Sequence, residues 1–416
     1  MLLQLTLSQK ETNHARYHDL ILSAAKSWSR VEVHADGHRV PVQWFPEVES
    51  RWALVTLYSR GDPVKVTESG VEVEVSARYS AEGVVDPSSR LRVSVTNDEV
   101  TVFTDHLSTV PSFVAAGEVL GLVMWPRALE ARSVLRSPPR SVLRLRPDSV
   151  SSVTEGLPEQ GETATVTAQG LLEAIEDSVV RNVGDRCAVG LSGGLDSGLI
   201  LKLVAERKRG AVAVTVGVRG SEDLERARRV AEKLGVDHVT HELSEEEVVA
   251  AAAYVRRAMG LKSPMCVSLG VINHVCASLA KSLGRTQLVV GQGADELFGG
   301  YAKYVGALEE GGYQALDSAM RSDLRELWRQ GIVRDYVSAA LGGVTLTAPY
   351  LDPRVVELAR AAPAELKVRG SERKVLLRGA ARLASVPEEV WRAEKRAAQY
   401  STGVEKVVRR WLRRTV

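Results

Sequence analysis

The sequence predicts a two-part chain: a smaller β-rich α+β domain, then an α/β domain on a parallel sheet. Three observations lead there. Up to about residue 150 the apolar pattern mostly alternates with period two, as antiparallel strands with one wet face do. From about residue 168 short apolar runs alternate with helical patterns, which implies βαβ units. Between them, residues 151–167 hold Ser151, Ser152, Gly156, Pro158 and Gly161 with little apolar content, a linker composition. The expected domains are therefore residues 1–150 and 168–416, and 416 residues suffice for both.

Taken in order, Val31-Glu32-Val33 and Val40-Pro41-Val42 flank Asp36-Gly37, a dipeptide that favours a tight hairpin. Val71 to Val75 and Leu91 to Val95 alternate cleanly, and Val100-Thr101-Val102-Phe103 follows a turn at Asn97-Asp98. In the second part, Cys187-Ala188-Val189-Gly190 reads as a short buried strand, and Leu199, Ile200, Leu203 and Val204 then recur at helical spacing. Ala211 to Val218 is the next strand. Ser221 caps a helix with Glu222 and Asp223 in its first turn and Leu224, Ala227, Ala231 and Leu234 on one face. His238 to His241 is a further strand; its two histidines, three residues apart, point to opposite faces, which argues against a shared metal. A longer helical region precedes the buried strand Gln287-Leu288-Val289-Val290.

Bulk composition is that of a soluble globular protein, 44% hydrophobic and 25% charged. A net charge of +2 offers no field-level argument for nucleic acid. Three scattered cysteines, Cys187, Cys266 and Cys276, exclude a disulfide framework and read as buried filler in a reducing compartment. The reading finds no signal peptide and no apolar span of 18 residues, so the expected location is the cytoplasm and no membrane partner is expected.

The chemistry concentrates in Leu191-Ser192-Gly193-Gly194-Leu195-Asp196-Ser197, between a strand end and a helix start. Free backbone N–H groups and the helix dipole there favour an anion. Glycines allow close approach to a phosphate, and Ser192 and Ser197 add hydroxyl donors. A carboxylate at Asp196 repels a phosphate unless a hard cation such as Mg²⁺ bridges the two. The Gly-Lys-Ser/Thr ending of a Walker A loop is absent. The alternative is a plain structural turn. A second constellation, Gly291-Gln292-Gly293-Ala294-Asp295-Glu296-Leu297-Phe298-Gly299-Gly300-Tyr301, follows another strand. Ligands of open α/β sheets bind beyond the carboxyl ends of the strands, where Asp196 and Asp295 could clamp one Mg²⁺ on a triphosphate. Alone, Asp295-Glu296 reads equally as an exposed helix start.

Ser192 to Ser197 resembles the pyrophosphate loop of the ATP pyrophosphatases. With Gly291 to Tyr301, Ala348-Pro349-Tyr350-Leu351-Asp352, Ser371-Glu372-Arg373-Lys374 and Lys395-Arg396-Ala397-Ala398-Gln399, the second part resembles the synthetase domain of glutamine-dependent asparagine synthetases, an architecture shared with β-lactam synthetases. The resemblance covers residues 168 to 405 and implies an adenine nucleotide α hydrolase-like fold. It implies ATP and Mg²⁺ as cofactors, with Leu191, Ser192, Gly193, Gly194, Asp196, Ser197, Gly291 and Gly293 around the phosphates. It also implies Val216, Gly217 and Val218 beside the adenine, Asp196 and Asp295 on the metal, and Lys395 steadying pyrophosphate. The first part is more faintly similar to the class II glutaminase domain, an Ntn-like sandwich, through Asp105 to Phe113 and Leu143 to Pro147. That chemistry uses an N-terminal cysteine. Position 2 is Leu2 and no cysteine precedes Cys187, so a degenerate glutaminase fold is expected.

Two departures bear on the substrate. The family's proton-handling glutamate is Gln292 here, which exchanges hydrogen bonds but takes no proton. Where the family has an acidic residue and an arginine, this chain has Thr345-Leu346-Thr347-Ala348, without the natural partner of a substrate carboxylate. The C-terminal Lys406 to Arg414 reads as a basic helix with one apolar stripe, either a solvated helix end or an RNA phosphate contact. The expected activity is an ATP-dependent amide-forming ligase. It would adenylate a small carboxylate, aspartate or a relative, and use ammonia directly or from a partner, with a homo-oligomer as the expected assembly. The alternatives are an RNA- or base-modifying enzyme on the same scaffold, with tRNA as partner, and a silent nucleotide-binding homologue.

Overall fold

The computed structural model describes residues 166–327, 331–393 and 402–415, with the backbone of fourteen strands between Leu3 and Thr154. The chain divides into two compact units, residues 1–77 with 86–157 and residues 78–85 with 158–416.

In the first unit the described backbone forms an eight-stranded and a six-stranded sheet. Ser29–Ala35 pairs antiparallel with His38–Val40, Ala35 opposite His38, while Asp36-Gly37 lies outside the described residues. Gly70–Ser76, Arg90–Val95 and Val100–Thr104 are antiparallel neighbours, as expected. Two pairings break the antiparallel expectation. Ser29–Ala35 runs parallel to Ala53–Ser59, and Leu3–Thr6 runs parallel to Leu20–Ala24. A period of two specifies which face a side chain takes and carries no information about a neighbour's direction. The stretch read as linker also starts later than its composition suggests. Val150–Thr154 pairs with Ser141–Leu145 as the edge strand of the six-stranded sheet, a position that suits a polar sequence. Residues 105–112, part of the fainter resemblance, lie outside the described residues.

The second unit carries a five-stranded, wholly parallel sheet, the α/β class expected. Its order is His238–Leu243, Val212–Val218, Cys187–Gly190, Gln287–Val289, Thr345–Thr347. The last strand is too short to show a period. The chain lays down Cys187–Gly190 first, adds two strands on one side, and then crosses to place Gln287–Val289 on the other. The gap between Cys187–Gly190 and Gln287–Val289 is thus a topological switch point, where the loops leave in opposite directions and open a crevice.

Ser221 stands at the N-cap position of the helix Glu222–Leu234 as expected, but its side chain makes no capping hydrogen bond. The Leu195–Arg207 helix buries Leu199, Ile200, Leu203 and Val204 completely. Thr167 accepts from the Gly170 N–H ahead of the Ala168–Asn182 helix, and Ser244 with Glu247 forms a capping box on Glu245–Met259. His238 exchanges a 2.8 Å hydrogen bond with Thr215, and His241 a 3.1 Å contact with Glu247, so each ring has a structural partner. One expectation needs correction: the helix Pro264–Ser282 is long and apolar enough to cross a membrane by length and composition. It packs instead against the helices Glu245–Met259 and Val333–Leu341 and the strand Val212–Val218, burying Val267, Val271, Cys276, Ala277 and Ala280. That packing accounts for its apolar composition.

Candidate active site

The first loop leaves Gly190 and turns through Gly193 at φ +73°. A Cβ on Gly193 would lie 2.8 Å from the Arg226 backbone carbon and 2.9 Å from the Ala227 nitrogen. Only glycine therefore lets the loop lie against the Glu222–Leu234 helix. Ser197 Oγ accepts from the Ser192 N–H at 3.1 Å and stands 3.1 Å from Ser192 Oγ. The two serines thus hold the loop in shape. Gly194, with no side-chain cap, precedes the 13-residue helix Leu195–Arg207, whose first N–H groups and dipole suit an anion.

The second loop follows Gln287–Val289, the strand paired to Cys187–Gly190, so both loops open at the switch point. A Cβ on Gly291 would stand 3.1 Å from Asp196 Cβ, which puts the loops in direct contact. Gly293, at φ +90°, lets the chain turn under Leu351 into the five-residue helix Ala294–Phe298 carrying Asp295 and Glu296.

The third motif supports the first. Tyr350, fully buried, donates to the Asp196 carbonyl at 2.9 Å. Asp352, with no exposed side-chain area, accepts from Arg181 and Asn182 and caps the helix Pro353–Ala361 through the Arg354 N–H. Thr347 is buried and accepts from Gln287 Nε2 at 2.5 Å, a structural bond. Gln292 is half-buried, its amide nitrogen 2.9 Å from where a Cβ on Gly331 would stand.

The fourth motif supplies the residue that sequence reasoning did not assign. A hairpin, Val368–Arg369 with Glu372–Arg373, delivers Lys374 at φ +60°, a left-handed conformation rare outside glycine. Its ammonium lies 2.6 Å from both carboxylate oxygens of Asp196 and 2.6 Å from Asp295 Oδ1. The lysine side chain is 3% exposed and each carboxylate 16%. Two acids 99 positions apart therefore converge on one cation. Arg373 donates to the Gly300 carbonyl at 2.8 Å, tying the hairpin to the second loop. Gly300 lies beneath the contact, where a Cβ would stand 1.9 Å from Asp295 Oδ1 and 2.3 Å from Lys374 Cε.

Glu296 is buried and accepts from Tyr301 Oη at 2.6 Å. Burial first, and the neighbouring Asp295 second, raise its carboxyl above the usual range. Buried Arg334 forks onto its neighbour Asp335, to which Asn273 also donates at 2.7 Å. The burial of Glu296 overturns the exposed-helix-start reading of Asp295-Glu296 for that residue, while the Arg334–Asp335 pair did not stand out in the sequence.

Of the nucleotide residues, Val216 is buried and Val218 half-buried at the strand's carboxyl end. The Val218 N–H donates to the Thr402 carbonyl at 2.9 Å, so the chain after the fourth motif returns to this edge. Lys395, with Arg396 to Gln399, lies outside the described residues. A magnesium ion fits the donor set: two carboxylates, hard oxygen ligands, already surround a single cationic point.

The model of the asparagine synthase family matches residues 170–310 and 307–416. Relatives include a protein of Methanocaldococcus jannaschii provisionally named a glutamine-hydrolyzing asparagine synthetase, 32% identical over 56% of this chain and 49% of its own. The glutamine-hydrolyzing asparagine synthetase of Gallus gallus is 28% identical over 53% of this chain and 40% of its own, and that of Asparagus officinalis 26% identical over 48% and 35%. The chain thus spans half or less of the length of these relatives. Among solved structures, an NH3-dependent NAD synthetase from Campylobacter jejuni is 19% identical over 32% of this chain and 58% of that one, with a TM-score of 0.25, an overlap too small to argue from. With the family model covering residues 170–416, more than half of the chain and all five motif stretches, the chain belongs to the asparagine synthase family.

Proposed function

We propose that this chain is an ATP-dependent amide-forming ligase that adenylates a carboxylate, releases pyrophosphate and passes the acyl group to ammonia. The observation that carries the reading is the convergence of Asp196, Asp295 and Lys374 at the switch point, beside the serine-glycine loop. A carboxylate oxygen of the substrate attacks the α-phosphorus of ATP, and the bond to the departing pyrophosphate breaks. Ammonia then adds to the acyl carbon, AMP leaves, and one proton is lost.

In this reading Ser192, Gly193, Gly194 and the start of the Leu195–Arg207 helix receive the phosphates, while Val216 to Val218 border the base. Asp196 and Asp295 hold Mg²⁺, which when bound neutralises the phosphate oxygens. Lys374 balances the carboxylate pair and is placed to meet charge on the leaving pyrophosphate, the kind of stabilisation that grows in the transition state. Lys395 adds to that charge by its match to the family lysine. Gln292 orients the acceptor by hydrogen bonds. The substrate is a small carboxylate, with ammonia free or delivered by a partner, and the site of action is the cytoplasm.

The test is pyrophosphate release from ATP, with AMP measured alongside, over a panel of amino acids and other carboxylates with ammonium chloride. A carboxylate-dependent signal at 1:1 AMP and pyrophosphate supports the reading. ADP formation, or no stimulation by any carboxylate, overturns it.

A further inference from the structure

The helix Val404–Thr415 starts two residues beyond Thr402, whose carbonyl accepts from the last N–H of the strand Val212–Val218. Val404, Val407, Val408 and Leu412 are buried, packed on the helices Glu245–Met259 and Pro264–Ser282. At about 100° per residue, Lys406, Arg409, Arg410, Arg413 and Arg414 fall in an arc about 140° wide on the opposite side. All five are exposed and together line a recess of about 430 Å³.

A solvated helix face intersperses charges of both signs; this one does not. Arg409 is held by Glu405 and Arg410 by Glu245, each at 2.6 Å. For Lys406, Arg413 and Arg414 there is no acidic partner among the described residues. The apolar stripe is spent on the unit's own core, so nothing is left to enter a lipid layer. The cationic row extends about 12 Å along a straight helix, while an extended single nucleic acid strand carries a phosphate about every 6–7 Å of its backbone. Such a row faces two to three successive phosphates, and four of its five residues carry the guanidinium fork that suits them.

We propose that this face binds the phosphate backbone of a single nucleic acid strand. The near-neutral total charge does not oppose this, because the field is local: five cations on one face against a net +2 for the chain. The proposal is independent of the ligase reading, since none of these side chains belongs to the candidate active site.

The test titrates the full chain into a fluorescently labelled single-stranded RNA of about 20 nucleotides and follows anisotropy over a salt series. Two to three contacts predict a log–log salt slope of about −1.5 to −2. The triple variant Lys406→Gln/Arg413→Gln/Arg414→Gln removes the three cations without an acidic partner among the described residues and should bring that slope close to zero, with affinity reduced at least tenfold at low salt and ATP turnover unchanged. The triple Lys406→Arg/Arg413→Lys/Arg414→Lys should keep both slope and affinity. Binding without salt dependence, unaltered binding by the glutamine triple, or binding only to phosphatidylserine vesicles and not to RNA overturns the proposal.

Discussion

Replacing Lys374 by methionine tests the centre of the site, because it removes one charge while keeping most of the stem volume. In the wild-type protein a single ammonium, 3% exposed, sits 2.6 Å from two carboxylates that are themselves 16% exposed. Lys374→Met removes the ammonium that the two acids share. Breaking a buried pair from one side costs about 3–5 kcal/mol. In a unit of this size about 1 kcal/mol moves Tm by 2–4 °C, so melting of the C-terminal unit in EDTA should fall by about 6–20 °C. Added Mg²⁺ should behave oppositely in the two proteins. The variant offers it a carboxylate pair from which the lysine has been removed, and at about 100 times Kd a ligand restores about 2.7 kcal/mol. In the wild type magnesium alone must compete with the lysine and should change Tm little. Pyrophosphate release should drop about 10²–10³-fold, the usual cost of removing a preorganised charge at a developing anion. The assays are differential scanning fluorimetry in EDTA and in a magnesium series, with coupled pyrophosphate detection. Unchanged melting in EDTA together with full turnover would refute the bridging role.

Asp196→Asn and Asp295→Asn should each abolish magnesium-dependent AMP and pyrophosphate formation with circular dichroism unchanged, since each removes a ligand and no core volume; wild-type turnover in both would remove the two-carboxylate clamp. Gly300→Ala places a methyl 1.9 Å from Asp295 Oδ1, so turnover should fall at least tenfold while a distant surface Gly→Ala control has no effect. Gln292→Glu adds a charge beside the buried acids Asp295 and Glu296 and should slow pyrophosphate release with the best acceptor; a gain of about 10²–10⁴ would instead show that a general base is wanted at that position. Burial pushes the Cys187 thiol up to about 11 and Cys276 to about 12, leaving on the order of one thiolate in a thousand or fewer at pH 8. Iodoacetamide followed by mass spectrometry should therefore leave both unmodified in the native protein and label them only after denaturation.

Sequence by itself determined the two-part division of pattern, the strands Cys187–Gly190, Val212–Val218, His238–Leu243 and Gln287–Val289, and the two glycine-rich loops. These are local matters: a run of apolar residues, a turn that only glycine makes, a first turn of helix after a glycine-rich loop. The same local signals left strand direction open in the first unit, where the alternation of Val31-Glu32-Val33 suits a parallel neighbour as well as an antiparallel one. They also made the core helix Pro264–Ser282 indistinguishable, by composition alone, from a membrane span.

Tertiary structure alone decided that the loop after Cys187–Gly190 and the loop after Gln287–Val289 lie side by side, because the sheet order reverses between those strands. It also decided that Lys374, which closes the motif Ser371-Glu372-Arg373-Lys374 but had no role assigned, is a partner of both acids. No spacing rule links positions 196, 295 and 374. They meet because a hairpin, a left-handed backbone conformation and the missing side chain of Gly300 bring a buried ammonium between two carboxylates. Charge balance at that point is a property of packing, and packing is not written in any one stretch of the chain.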